Sequence, residues 1–155
     1  MSPLDRVIIA TDGGCRSNQT KSNIGAYAAI LHYKGHKKIV SSPVRNTTNN
    51  AMEIKAVIEG LKALKRNDLP IEVHSDSAYV CNCINKQWYV GWRKNGWVKK
   101  DGKIVKNYEL WKELIDLVES FDDILFVKVK GHSDNMLNQE ADDIVNKAMD
   151  DMYKQ

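Results

Sequence analysis

Three apolar, β-branched runs joined by short polar connections, followed by helical and extended patterns in alternation, restrict this chain to a mixed sheet with helices packed on it. The first run, VIIATD over residues 7–12, meets the turn signal Gly13-Gly14 and reads as a buried strand. IGAYAAILHY (24–33) and KKIVSS (37–42) flank Lys34-Gly35-His36 and read as a hairpin closed by Pro43. The cluster Thr47-Thr48-Asn49-Asn50 offers caps for a helix over 50–66, where Met52, Ala56, Val57, Gly60, Leu61 and Leu64 follow helical spacing. Asn67-Asp68-Leu69-Pro70 stops that helix, and IEVHSD (71–76) predicts a fourth strand. Short helices are expected over 77–85 and 88–94, and a longer one, capped by Asn107, over 108–120. A fifth strand is expected over 124–130. A closing helix over 138–153 carries Ala141, Ile144, Val145, Ala148 and Met152 along its apolar stripe. The expected fold class is α/β, a single domain over residues 1–155.

Composition narrows the function classes. At 155 residues, 28% charged and 43% hydrophobic, the chain suits one globular domain and not a disordered or collagen-like one. No run approaches the roughly 18 apolar residues of a membrane span, and charges fall where a signal peptide needs its apolar centre. A cytoplasmic protein with no membrane partner is the expectation. Three cysteines without CxxC spacing suit reduced thiols. The net charge of +3 hides a strong polarity, with +4 over residues 1–85, +6 over 86–106 and −7 over 107–155. A basic stretch of that density is a local footprint for a polyanion. Lys86, Arg93, Lys94, Lys99, Lys100, Lys103 and Lys106 interleave there with Trp88, Trp92 and Trp97, a mixture suited to phosphates and sugars.

Carboxylates carry the chemistry. Asp12 lies in the first strand, Asp76 ends the fourth, and Glu53 and Asp142 each lie about one turn into a helix. Alone, each reads as a turn, cap or helix-dipole residue. Brought together by adjacent strands, they make a negative site that asks for cations. The absence of cysteine or paired-histidine ligand spacing favours Mg²⁺ or Mn²⁺ over zinc.

TDGGC (11–15), TTNNAMEIKAVIEGLKAL (47–64), HSDSAYV (74–80) and VKGHSDNMLNQEADDIVNKA (129–148) together resemble type 1 ribonuclease H. The tryptophan-rich basic segment and VKNYELW (105–111) resemble that family's substrate-binding protrusion and the helix after it. The resemblance spans nearly the whole chain. It implies a ribonuclease H-like fold with a five-stranded mixed sheet of order 3-2-1-4-5. It further implies hydrolysis of the RNA strand of RNA:DNA hybrids, with removal of RNA primers or hybrids during replication. The matching metal ligands are Asp12, Glu53, Asp76 and Asp142; the tenth residue on from His132 is Asp142, not Asp143. His132 matches a histidine implicated in proton transfer or product departure. Two Mg²⁺ ions are implied with substrate, Mn²⁺ substituting, and the products are a 5′-phosphate and a 3′-hydroxyl.

By the same resemblance, Gly13, Cys15, Asn18, Asn50 and Glu53 face the RNA minor groove. Thr48, Asn49 and Asn107 surround a pocket for a DNA-strand phosphate. Trp88, Trp92, Arg93, Lys94, Trp97, Lys99 and Lys100 grip the duplex from the protrusion. The chain departs from the family in its longer QTKSNIGA stretch, in Ala78, where many members have glutamine, and in the placement of Arg45. A monomer with an RNA:DNA hybrid as partner is the expectation.

Overall fold

The computed structural model describes residues 6–16, 23–130 and 135–153. In chain order the elements are β1 (Val7–Arg16), β2 (Ile24–Tyr33), β3 (His36–Arg45), α1 (Asn49–Lys62), β4 (Ile71–Ser75), α2 (Ala78–Asn85), α3 (Trp88–Lys94), α4 (Tyr108–Glu119), β5 (Ile124–Lys128) and α5 (Met136–Tyr153). The sheet runs β3-β2-β1-β4-β5, as the family resemblance implies. β1, β2 and β3 are antiparallel neighbours, while β4 and β5 join β1 in parallel.

Side-chain alternation along β1 divides the core. Val7 and Ile9 face one layer, where they pack with Ile54, Val57, Ile58 and Leu61 of α1 and with Trp111 and Leu114 of α4. Ala10 faces the opposite layer with Ala26, Ala28 and Ile30 of β2, against Ala141, Val145 and Met149 of α5. Small residues dominate this second layer, so α5 lies close to the sheet. Fully burying each large aliphatic side chain contributes roughly 1.5–3 kcal/mol.

Several boundaries differ from the sequence reading for identifiable reasons. β1 passes straight through Gly13-Gly14, which pair with Tyr27 and Ala26 instead of turning. Gly13 is required by a close approach: a Cβ there would lie 2.4 Å from the Met52 carbonyl carbon and 2.6 Å from the Glu53 nitrogen. Gly13→Ala therefore forces α1 off the sheet. A loss of about 2–3 kcal/mol in chemical denaturation is expected, and a variant as stable as the parent would show that α1 can yield.

Pro43 lies inside β3, opposite Ala26, and does not close it. β3 is an edge strand, where a missing N–H costs no ladder bond. α1 begins at Asn49, with the Thr48 hydroxyl accepting from the Ala51 nitrogen at 3.1 Å, and it stops at Lys62, four residues short of the expected end. Its stripe is also broader than expected, since Ile54 and Ile58 are buried between the sheet and α4. β4 and β5 end earlier, at Ser75 and Lys128, and α5 starts earlier, at Met136.

Candidate active site

The four predicted acids converge where β1 and β4 part company. These parallel strands pair only as far as Ala10 and His74, and their ladder stops there. Such a split at the ends of parallel strands is where open sheets form crevices. Asp12 follows on β1, Asp76 follows β4, and α1 brings Glu53 in over Gly13. The Gly13 nitrogen donates to Glu53 Oε1 at 2.6 Å, which fixes that carboxylate's direction. Asp12, Glu53 and Asp76 each place an oxygen so that all three lie within 4.8 Å of one another. Asp142 of α5 lines the same cavity of about 500 Å³, together with Gly13, Cys15, Asn49 and Asn50. Asp143, the neighbouring candidate, is exposed and does not line it.

Electrostatics follow from that crowding. Burial raises the Asp12 carboxyl to about 7, helped by the Asp76 and Asp142 carboxylates. Glu53 is buried, and it too is pushed well above the usual range, first by burial and then by Asp12 and Asp76. An all-oxygen set in which burial and neighbouring carboxylates hold Asp12 and Glu53 toward their neutral forms is a fitting site for hard divalent cations, which relieve the repulsion.

A second cavity, of about 520 Å³, lies beside the first and is lined by Thr48, Asn50, Tyr79, Trp92, Lys99, Val105, Lys106 and Asn107. Asn50 borders both. Asn107 adopts a left-handed conformation, φ 62°, and its side chain makes no cap bond to α4, contrary to the expected capping role. Asn107 instead lines the cavity. Asn49 Oδ1 is already committed to the Cys15 nitrogen at 2.6 Å, and Asn49 does not line this second cavity.

The basic segment is built on an aromatic ladder. Trp92 sits between Trp88 (6.4 Å between ring centroids), Trp97 (6.5 Å) and Trp111 (6.2 Å), while Trp111 Nε1 donates to the Tyr79 hydroxyl at 2.8 Å. Trp97 is only 8% exposed and supports the segment from within, a correction to its expected place among the groups that meet a ligand. Arg93 is occupied by a bidentate pair with Glu119, at 2.9 and 3.1 Å. Trp88, Lys94, Lys99 and Lys100 are exposed. Asn18 and His132 lie outside the described residues.

Residues that the sequence reading passed over also meet here. Tyr79 lines the second cavity, and Arg16 and Asn146 border the first. Arg16 was detectable in principle, because strand alternation puts it on the same face as Asp12.

The RNase H family model matches residues 5–150. The chain belongs to the RNase H family. Ribonuclease H of Clostridium botulinum (strain Hall) is 47% identical over 148 residues, spanning 96% of this chain and 98% of the relative. Among solved structures, LC9-RNase H1, described as a type 1 RNase H with the type 2 active-site motif, superposes with a TM-score of 0.76 at 26% identity, covering 96% of this chain and 74% of that one. LC11-RNase H1, solved in complex with RNA/DNA hybrid, shares the fold with a TM-score of 0.72 at 22% identity, covering 95% and 99%. This RNase H is accordingly a nuclease of the hydrolase class, and its acid cavity lies within the matched residues.

Proposed function

We propose that this RNase H cuts the RNA strand of RNA:DNA hybrids using two Mg²⁺ ions, Mn²⁺ substituting, to leave 5′-phosphate and 3′-hydroxyl ends. It acts as a monomer in the cytoplasm, clearing RNA primers and hybrids during replication. The observation that carries this reading is the pair of cavities on either side of Asn50, one acidic and one lined by amides, lysines and an indole. Unlike linings suit unlike strands of one duplex. The hybrid held by the neighbour LC11-RNase H1 supports the substrate class.

Asp12, Glu53, Asp76 and Asp142 are the residues that hold the cations, and their mutual repulsion is the reason the site accepts positive charge. When bound, a pair of divalent ions supplies a water-derived nucleophile at neutral pH and neutralises both the entering and leaving oxygens at phosphorus. The chain's own groups do the rest. The Gly13 nitrogen keeps Glu53 aimed into the cavity. The Asn50 amide, with donors and an acceptor, suits a ribose 2′-hydroxyl at the boundary between strands. Lys99 and Lys106, with the Asn107 amide and the Thr48 hydroxyl, suit a phosphate of the DNA strand. Gly13, Cys15 and Asn18 complete the RNA-strand contacts, and His132 delivers a proton to the departing oxygen.

Four duplexes of one sequence test the reading: RNA:DNA, DNA:DNA, RNA:RNA, and a DNA strand carrying a short ribonucleotide run opposite DNA. Cutting needs 2′-hydroxyls on one strand and deoxyribose on the other, so only the first and last are expected to be cleaved in Mg²⁺. Efficient cleavage of DNA:DNA would instead favour a general nuclease of the same fold.

A further inference from the structure

Asp142 differs from the other acids in where it is anchored. Asp12, Asp76 and Glu53 sit on or against the β1–β4 split, whereas Asp142 rides on α5, whose apolar contact with the sheet runs through small and flexible residues. A Cβ added to Gly14 of β1 would come to 3.6 Å from Val145 and 3.9 Å from Met149, so at this point α5 faces bare strand backbone with no interlocking side chain. Such a contact fixes the depth of the helix better than its position along its own axis. Among the described residues, Lys37 of β3 pairs with Glu140 at 2.6 Å, and two further polar attachments, both involving β1, lie one turn to either side of Asp142 and supply what packing leaves loose.

On the near side, Asn138 Nδ2 donates to two backbone carbonyls at once, Thr11 at 3.3 Å and His74 at 3.1 Å. Thr11 adjoins Asp12, and His74 lies two residues before Asp76. One amide thus spans the split at its origin. On the far side, Arg16 reaches from the end of β1 to Asp150 Oδ1, to the Asn146 carbonyl at 3.4 Å and to Asn146 Oδ1 at 3.3 Å. The Tyr153 ring lies 5.9 Å from its guanidinium carbon. Asn146 Nδ2 in turn donates to the Asp142 carbonyl at 3.0 Å. Asn138, Asp142 and Asn146 are spaced by four and share a helix face.

We infer that Asn138 and Arg16 are positioning residues that hold α5 in register with β1, so that the Asp142 carboxylate stays in the cavity it lines with Asp12, where it would help to hold a divalent cation. The inference rests on the four-acid reading of the cation site. Arg16 and Asp150 are both partly solvated, so their pair contributes little to overall stability. Its effect is geometric. Groups that orient a metal ligand from outside its first contacts commonly change affinity by 10–100-fold, and a link through a helix is expected to give about fivefold.

The test uses the full chain and follows its melting temperature as Mg²⁺ is added, for the parent, Asn138→Ala, Arg16→Leu and Asp150→Asn. Hybrid affinity is measured separately without metal. A parent that gains stability with Mg²⁺, and variants that need several times more Mg²⁺ for half that gain at unchanged hybrid affinity, is the expected result. Lower melting temperatures with an unmoved Mg²⁺ midpoint would make the clamps merely structural. Weaker hybrid binding in Arg16→Leu, with Asp150→Asn and the Mg²⁺ midpoints unchanged, would make Arg16 a phosphate contact. Either result overturns the inference. If Asn138→Ala does not fold, Asp150→Asn still decides the matter, because it cuts the far clamp at the surface. A parent indifferent to Mg²⁺ would remove the four-acid reading itself, and the inference with it.

Discussion

Asp76→Asn is expected to bind hybrid within a few-fold of the parent and to lose about a thousandfold or more of its cleavage rate. The substitution keeps volume and removes one charge. Asp76 is exposed and lies just past the last residue of β4, so no core contact depends on it. Its carboxylate nevertheless stands within 4.8 Å of those of Asp12 and Glu53 and is a leading source of the field that raises both. An amide there leaves a smaller negative charge to attract cations and one fewer anionic ligand to orient them. Single-turnover cleavage at saturating Mg²⁺, beside a binding isotherm in metal-free buffer, separates the two effects. Near-parent cleavage under those conditions would sink the four-acid assignment.

Which parts of this fold and site are legible in the sequence follows from which interactions are local. Strand and helix periodicity located every element, because alternating or helical burial is written into neighbouring residues. The five-strand order came from resemblance, since nothing local says that β4 pairs with β1 and not with β3. Gly13-Gly14 misled for a physical reason: a glycine needed for close approach to Met52 and Glu53 looks, in sequence, like one needed for a turn. Pro43 misled similarly, because a proline tolerated at a sheet edge resembles one that ends a strand. The broad burial of α1 was hidden because a helix covered on two sides loses the polar face that makes a stripe visible. At the site, acid identities and order were legible, whereas the choice between Asp142 and Asp143 depended on a family spacing that the cavity lining matches. The burial of Trp97 and the occupation of Arg93 by Glu119 depend on contacts between distant segments and left no local mark.

Asp12→Asn is expected to stabilise the metal-free protein at neutral pH and above while abolishing cleavage. The Asp12 carboxyl ordinarily ionises near 3.8 but is raised to about 7 in the fold, by burial first and then by Asp76 and Asp142. Below about pH 4 it is protonated in both folded and unfolded chains, so the substitution changes little there. Between that point and about pH 7 the unfolded chain gives up its proton while the folded one retains it, and folding weakens by about 1.4 kcal/mol per pH unit. Above pH 7 the folded carboxyl is ionised too, and the deficit stays constant at a few kcal/mol on this order-of-magnitude reckoning. Asparagine recovers part of it, about 2 kcal/mol, because the amide still bears some cost of burial. For a chain of this length that corresponds to roughly 4–8 °C in melting temperature. The gain should therefore be absent at pH 4, grow toward pH 7 and level off beyond it. Saturating Mg²⁺ should erase it by stabilising the parent, since cations remove the repulsion that asparagine removes. A variant no more stable than the parent at pH 8 without metal, or one equally stabilised at pH 4, would show that Asp12 bears no electrostatic strain in the metal-free protein.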